Sequence, residues 1–317
     1  MAEVSTKTEH VSTGIRTIDQ ALGPGLAHGS ITCLSCEQTE NIAQEIYQAS
    51  IASHLLSSPH ATAAVIDTGS GLDVRRLHQI LSRRLGDRHD ASDEAAKVLD
   101  RVSIMKVFDF VGLGECLSEL RSSLEGRSNE LSIPTEVVET MKPRGTIGDS
   151  EDETDDEMVD KPSDSAVSRT REPPFTTQNS PLLIIDNIAK VATPLLKSQS
   201  SYSRGQALLT SFMRSLAHLT KTHDICTLLI NDVLPSRYTK EDSPSVFSSC
   251  MLQPALGKAF TYMLDAHLLC HRMRRSENNE AECYVVEVLQ DRHGGRVGRW
   301  GALTANEEPD GELRSVT

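Results

Sequence analysis

Three groups of residues have the types and spacing to do chemistry. Cys33 and Cys36 form a C-x-x-C pair. A structural zinc site needs four donors, and neither a second pair nor nearby histidine ligands accompany this one, so two packing thiols at a strand end are expected and no metal site. Leu182 to Asp186 is an apolar strand ending in a carboxylate, which could face a magnesium-bound water or act as a structural cap. His271, Arg272, Arg274 and Arg275 form a basic patch, equally compatible with anion contact and with a solvated surface turn.

The segment from Val11 to Ser35, VSTGIRTIDQALGPGLAHGSITCLS, carries more information. It resembles the entry to the ATPase core of the RecA-type recombinases, S-T-G-x-x-x-L-D-x-x-L-G-G-G-L-x-x-G leading into a first strand. Ser12, Thr13, Gly14, Asp19, Leu22, Gly23, Gly25, Leu26 and Gly29 match. The resemblance implies that a phosphate loop, G-x-x-x-x-G-K-[ST], should follow. Its glycine amides would cradle phosphates, its lysine would meet the β and γ phosphates, and its hydroxyl would hold magnesium.

The matching stretch runs from Cys36 to Ala43, and Cys36, Asn41, Ile42 and Ala43 stand in the places of the two glycines, the lysine and the hydroxyl. Glu37 and Glu40 add negative charge, and a carboxylate ~4 Å from a phosphate oxygen costs about 4 kcal/mol at an effective dielectric near 20. The resemblance continues downstream in the same manner. Gly69 stands where the family's water-polarising glutamate would be, Asp186 ends the magnesium-facing strand, and Asn231-Asp232 stand where an Asn-Gln pair would sense phosphate. A degenerate Walker A follows, with no catalytic residue and no cofactor expected; ATP and magnesium enter only if the site is rescued. Pro254 to Phe260 resembles a P-x-L-G-x-x-W segment, and Val102 to Leu120 is most similar to the D-type recombinase paralogues.

In this family the loops after the third and fourth motifs line a single-stranded DNA channel. The resemblance places them at 190–204 and 234–253, with Lys190, Lys197, Tyr202 and Arg204 in the first and Arg237, Tyr238 and Lys240 in the second. Cations with a stacking ring suit weak, salt-sensitive binding, and solvated loop cations are the alternative. No F-x-x-A sequence and no preceding helix-hairpin-helix domain is found, so a hetero-oligomer with another recombinase paralogue is expected in preference to a self-polymer.

The elements that must position these residues show in the hydropathy pattern. Short apolar runs alternate with amphipathic stretches, the pattern of an α/β core, here a RecA-like P-loop fold with a mostly parallel sheet flanked by helices. Ser30–Leu34, Ala63–Asp67, Val102–Val107, Leu182–Asp186 and Ile225–Ile230 are the expected central parallel strands. Helices are predicted over Gly112–Leu124 and Gly205–Thr220, the latter with Leu208, Leu209, Phe212, Met213, Leu216 and Leu219 on one stripe. Ala266–Cys270, Cys283–Leu289 and Arg296–Ala302 should form an antiparallel edge, the last two joined through a Gly294-Gly295 turn.

Residues 11–304 are expected to be one core, with residues 1–10 and 305–317 disordered. Residues 126–180, rich in Ser, Thr, Pro, Asp and Glu, are expected to interrupt it as a disordered insertion. The run Asp149–Asp160 contributes eight of the negative charges in a net charge of −13 and leaves −5 elsewhere. That balance excludes a surface coated for tight nucleic-acid binding. No apolar run reaches the ~20 residues of a membrane helix, and no signal peptide is present, so the seven cysteines are expected as thiols.

The resemblance thus implies a nuclear, non-catalytic accessory factor in DNA repair by homologous recombination after DNA damage. Two other implications stay open: a degenerate RecA-like structural subunit of the Elongator type, and an ATPase completed in trans by a partner.

Overall fold

A computed structural model describes residues 10–37, 41–69, 71–86, 90–130, 181–197, 202–236, 244–273, 283–292, 294–304 and 313–315. The chain enters through β1 (His10–Val11), α1 (Arg16–Leu22) and β2 (Leu26–Ala27), with β1 and β2 paired antiparallel. The recombinase-like residues of this segment hold its shape. Asp19 accepts hydrogen bonds from Ser12 Oγ at 2.6 Å and from Thr13 N and Oγ1 at 2.8 Å, tying the turn to the first helix. Gly25 has φ +148°, and a Cβ there would lie 2.5 Å from the Val11 carbonyl, so only glycine fits.

The main sheet follows. Its strands are β3 (Ile31–Cys36), β4 (Ala63–Asp67), β5 (Val102–Lys106), β6 (Leu182–Asp186), β7 (Cys226–Pro235), β8 (Leu252–Pro254), β9 (Ala266–Met273), β10 (Cys283–Asp291), β11 (Trp300–Thr304) and β12 (Arg314–Ser315). Their order is β12-β11-β10-β9-β3-β7-β6-β4-β5, with β8 added to the end of β7. Pairing is parallel from β9 through β5 and antiparallel from β9 to β12. This is the expected mostly parallel sheet with an antiparallel edge.

The helices are α2 (Ile42–Ser57), α3 (Val74–Leu85), α4 (Ala91–Leu99), α5 (Phe110–Glu130), α6 (Ile188–Lys197), α7 (Tyr202–Thr222) and α8 (Gly257–Thr261). They cover both faces of the sheet, which therefore has two cores. Leu34, Val65 and Ile184 pack with α2 and α3 on one side. Ile31, Ile66 and Ile185 pack with α5, α6 and α7 on the other. Successive residues on a strand alternate faces, so Cys36 falls in the first core and Cys33 in the second. The C-x-x-C thiols, both buried and free, therefore point away from each other.

Several expectations need correction. Val102–Val107 is not a central strand: β5 closes the sheet edge and is only half-buried. Helix α5 extends to Glu130, beyond the point where apolar periodicity stops at Leu124, so the interruption does not begin at 126. Residues 131–180, and with them the acidic run, lie outside the described residues. His10 pairs with Ala27, and Arg314–Ser315 pairs with β11, with Ser315 Oγ accepting from Thr17 N at 3.1 Å. The β10–β11 connection is longer than a Gly-Gly turn, because Glu287 pairs with Trp300. Leu208 stands off the α7 stripe, 43% exposed.

Candidate functional site: a cleft at the strand ends

Parallel α/β sheets bind ligands at the carboxyl ends of their strands. Here those ends of β3, β4, β6 and β7 surround a cavity of about 250 Å³ lined by Cys36, Glu37, Asn41, Ala43, Gln44, Gly69, Gly71, Asp186, Lys190 and Ile230. The stretch matched to the phosphate loop and the strand-ending aspartate thus share one cleft. Asn41 has φ +51°, a left-handed conformation that asparagine tolerates, and α2 starts immediately after it. The amide end of a 16-residue helix therefore borders the cavity.

The other side chains differ from what a triphosphate needs. Ile42, in the lysine's place, is 3% exposed and packs into the first core with Ile46. Asn231 does not reach the cavity. It is fully buried and donates from Nδ2 to Ser35 Oγ at 2.9 Å, while Ser35 Oγ also meets His267 Nε2 at 2.8 Å.

The turn after β4 fills space. Asp67 Oδ1 accepts from the Gly69 and Gly71 amides at 2.9 and 3.1 Å. A Cβ on Gly71 would come within 2.9 Å of Asp186 Oδ2, and a Cβ on Gly69 would strike the Lys190 ammonium. Lys190 therefore occupies the space beside the position resembling the catalytic glutamate's. The recombinase resemblance places it on a DNA loop, but α6 is already helical there, and the expected loop of 190–204 is mostly helix.

Two carboxylates, Asp186 and Asp232, feel the charge of this lysine. Burial, with the Asp67 and Asp232 charges adding to it, lifts the Asp186 carboxyl to about 6, against opposing effects of Tyr47 and Lys190. Burial also raises Asp232, opposed by a 2.6 Å hydrogen bond from Asn187 Nδ2 and by Lys190. The capping role expected of Asp186 belongs to its neighbour: Asn187 Oδ1 accepts from the Ala189 amide at 2.9 Å and opens α6. Gln44 and Lys190 are cleft residues that motif matching did not place there.

Of the other candidate cations, Lys197 is exposed at the end of α6 and Arg204 in the first turn of α7. Arg237, Tyr238 and Lys240 lie outside the described residues. His271 does not belong to a surface basic patch, being 4% exposed within β9, and Arg274 and Arg275 lie outside the described residues. A larger cavity of about 450 Å³ opens at the opposite ends of β3 and β9. Its charged groups are engaged in holding the fold: Asp265 accepts from the Ile31 amide and pairs with Arg292, and Arg296 pairs with Asp291.

The strand order, the helices on both faces and the cleft at the strand ends define a RecA-like α/β core. A solved structure with this fold is that of the RadB recombinase, at TM-score 0.56 and 16% identity, covering 97% of this chain and 100% of RadB. Among curated proteins the chain matches DNA repair protein RAD51 homolog 4 of Bos taurus, 23% identical over 267 residues, and that of Mus musculus, 22% identical over 267 residues. These alignments cover 84% of the chain and span 63% and 62% of those relatives. No family model matches. The chain is thus similar to recombinase paralogues in sequence and shares the fold of a RecA-type recombinase.

Proposed function

We propose that this protein is a non-catalytic recombinase paralogue, an accessory factor in DNA repair by homologous recombination that works through its surfaces and not through nucleotide turnover. The observation that carries this reading is the cleft itself. The lysine position of the phosphate loop holds a core isoleucine, the hydroxyl position holds Ala43, and the one lysine lining the cavity, Lys190, faces Asp186 and Gly69. Glu37 lines the entrance. A cavity of about 250 Å³ also lies below the ~300–1,000 Å³ usual for ligand pockets. These residues do not fit magnesium-ATP in the manner of a phosphate loop.

Similarity to RAD51 homolog 4 supports another recombinase paralogue as the partner and the nucleus as the compartment. Among the described residues, no helix is long and apolar enough to cross a membrane. Single-stranded DNA is a weak ligand, held by Lys197 and Arg204 with Arg237, Tyr238 and Lys240. The test has two arms. Purified protein should show neither ATP hydrolysis nor saturable nucleotide binding, and affinity capture of the tagged chain should recover recombination paralogues. Hydrolysis sensitive to Lys190→Ala would overturn the degenerate-site reading, and recovery of Elongator subunits would overturn the assignment to repair.

A further inference from the structure

Outside the cleft, one group of metal-binding side chains comes together. Cys250, His271 and Glu287 are all buried, and one ligand atom of each lies within 4.8 Å of the others. They come from three places: the loop returning after β7, strand β9 and strand β10. His271 and Glu287 are diagonal neighbours on one face of the antiparallel pair, two residues out of register, since His271 pairs with Val285 and Leu269 with Glu287.

Two features separate this trio from an ordinary buried polar contact. First, His271 Nε2 and Glu287 Oε1 are buried with no hydrogen-bond partner, in residues 4% and 0% exposed. Leaving such groups unpaired costs roughly 1–3 kcal/mol each. Second, they face each other at 3.7 Å. That is too long for a hydrogen bond, whose N···O distance is about 2.7–3.2 Å. It matches the ligand–ligand edge of a tetrahedral ion with bonds of about 2.0–2.3 Å, roughly 3.3–3.8 Å.

The surroundings fix the donors in place. Glu287 Oε2 accepts from the Val246 amide at 3.0 Å, which leaves Oε1 turned to the trio. The Phe247 ring stands edge-on to His271 at 5.2 Å and to Trp300 at 5.5 Å, screening the group from solvent. The Cys250 amide donates to the Phe247 carbonyl at 2.9 Å, closing the turn that brings the thiol inward.

We propose that Cys250 Sγ, His271 Nε2 and Glu287 Oε1 hold a zinc ion that fastens the 244–251 loop to the sheet. Sulfur, imidazole and carboxylate together suit zinc in preference to magnesium or calcium, and three protein donors leave a fourth position for water. Binding converts the Cys250 thiol to a thiolate and releases its proton to solvent. With water as the fourth donor, the ion clamps the end of the segment that follows β7 and returns through β8.

The test uses the full chain purified without chelators. Metal analysis should find stoichiometric zinc, and cobalt(II) loading of the stripped protein should give an intense thiolate-to-cobalt absorption band. Cys250→Ala should abolish that band and Glu287→Gln should shift or weaken it, while Cys33→Ala and Cys36→Ala leave it unchanged. The near-isosteric Glu287→Gln guards against a merely unfolded variant, and the wild-type measurement is decisive alone. Absence of both zinc and the cobalt band from wild-type protein overturns the proposal, as does a band that survives Cys250→Ala.

Discussion

Asp186 is a carboxylate held in a cleft where the Tyr47 hydrogen bond and the Lys190 charge do not offset its burial. Its pKa rises from an ordinary value near 3.8 to about 6, burial being the largest cause. Between those two pH values the native state keeps a proton that the unfolded chain releases, so stability from this group is fully present below about pH 4 and is lost as pH rises through about 6. Two pKa units correspond to about 3 kcal/mol. Asp186→Asn removes the charge and keeps the shape, so it should stabilise the protein at pH 8 by about 1–3 kcal/mol, with the advantage vanishing below pH 4. Urea titrations of both proteins across that range check it, and parallel curves would show that Asp186 is not strained. At this scale the sequence exposed Cys36, Asn41 and Ala43 as cleft residues, because a motif fixes their spacing between a strand and a helix. It did not expose Lys190 or the burial of Asn231, since neither helix onset nor side-chain direction is encoded in local spacing.

The elements were legible where the hydrophobic pattern had one meaning. Strands β4 and β6 are continuous apolar runs between breakers, and their observed limits equal the expected ones. Strand β5 looks the same in sequence yet lies at the edge, because an apolar run reports burial by helices and not the number of neighbouring strands. Helix α2 gave no clear stripe because Ile46, Tyr47, Gln48, Ala49, Ser50, Ile51 and Ala52 are all buried, so no polar face remains. Helix packing supplies a paired prediction. In α7, a Cβ on Gly205 would collide with the Leu195 carbonyl at the end of α6, whereas on α5 a Cβ on Gly126 meets open space. Gly205→Ala should therefore cost about 1–3 kcal/mol through overpacking. Gly126→Ala should gain about 0.5–1 kcal/mol by limiting the unfolded chain and favouring helix. Thermal denaturation of the two variants should move in opposite directions; a shift of the same sign would contradict the α6–α7 contact.

On the scale of the whole molecule, net charge sets how the protein meets a polyanion. With −13 overall, attraction to single-stranded DNA has to come from a local face against a repulsive average. The described part of that face is Lys197 at the end of α6 and Arg204 at the start of α7, two helices that pack against one another. Arg237, Tyr238 and Lys240 of the other expected loop belong to the proposed contact and lie outside the described residues. Three or four phosphate contacts give a slope of about −2 to −3 in log affinity against log salt for a single strand. Affinity for an oligothymidine, followed by fluorescence anisotropy, should thus fall roughly 20- to 50-fold between 50 and 200 mM salt. Lys197→Ala with Arg204→Ala should flatten the slope by about one unit or more, since each lost phosphate contact removes about 0.7. Tyr238→Ala should weaken binding with little change in slope, because stacking releases no counterions. Tight binding that does not respond to salt would place the contact elsewhere on the surface and remove these two loops from the interface.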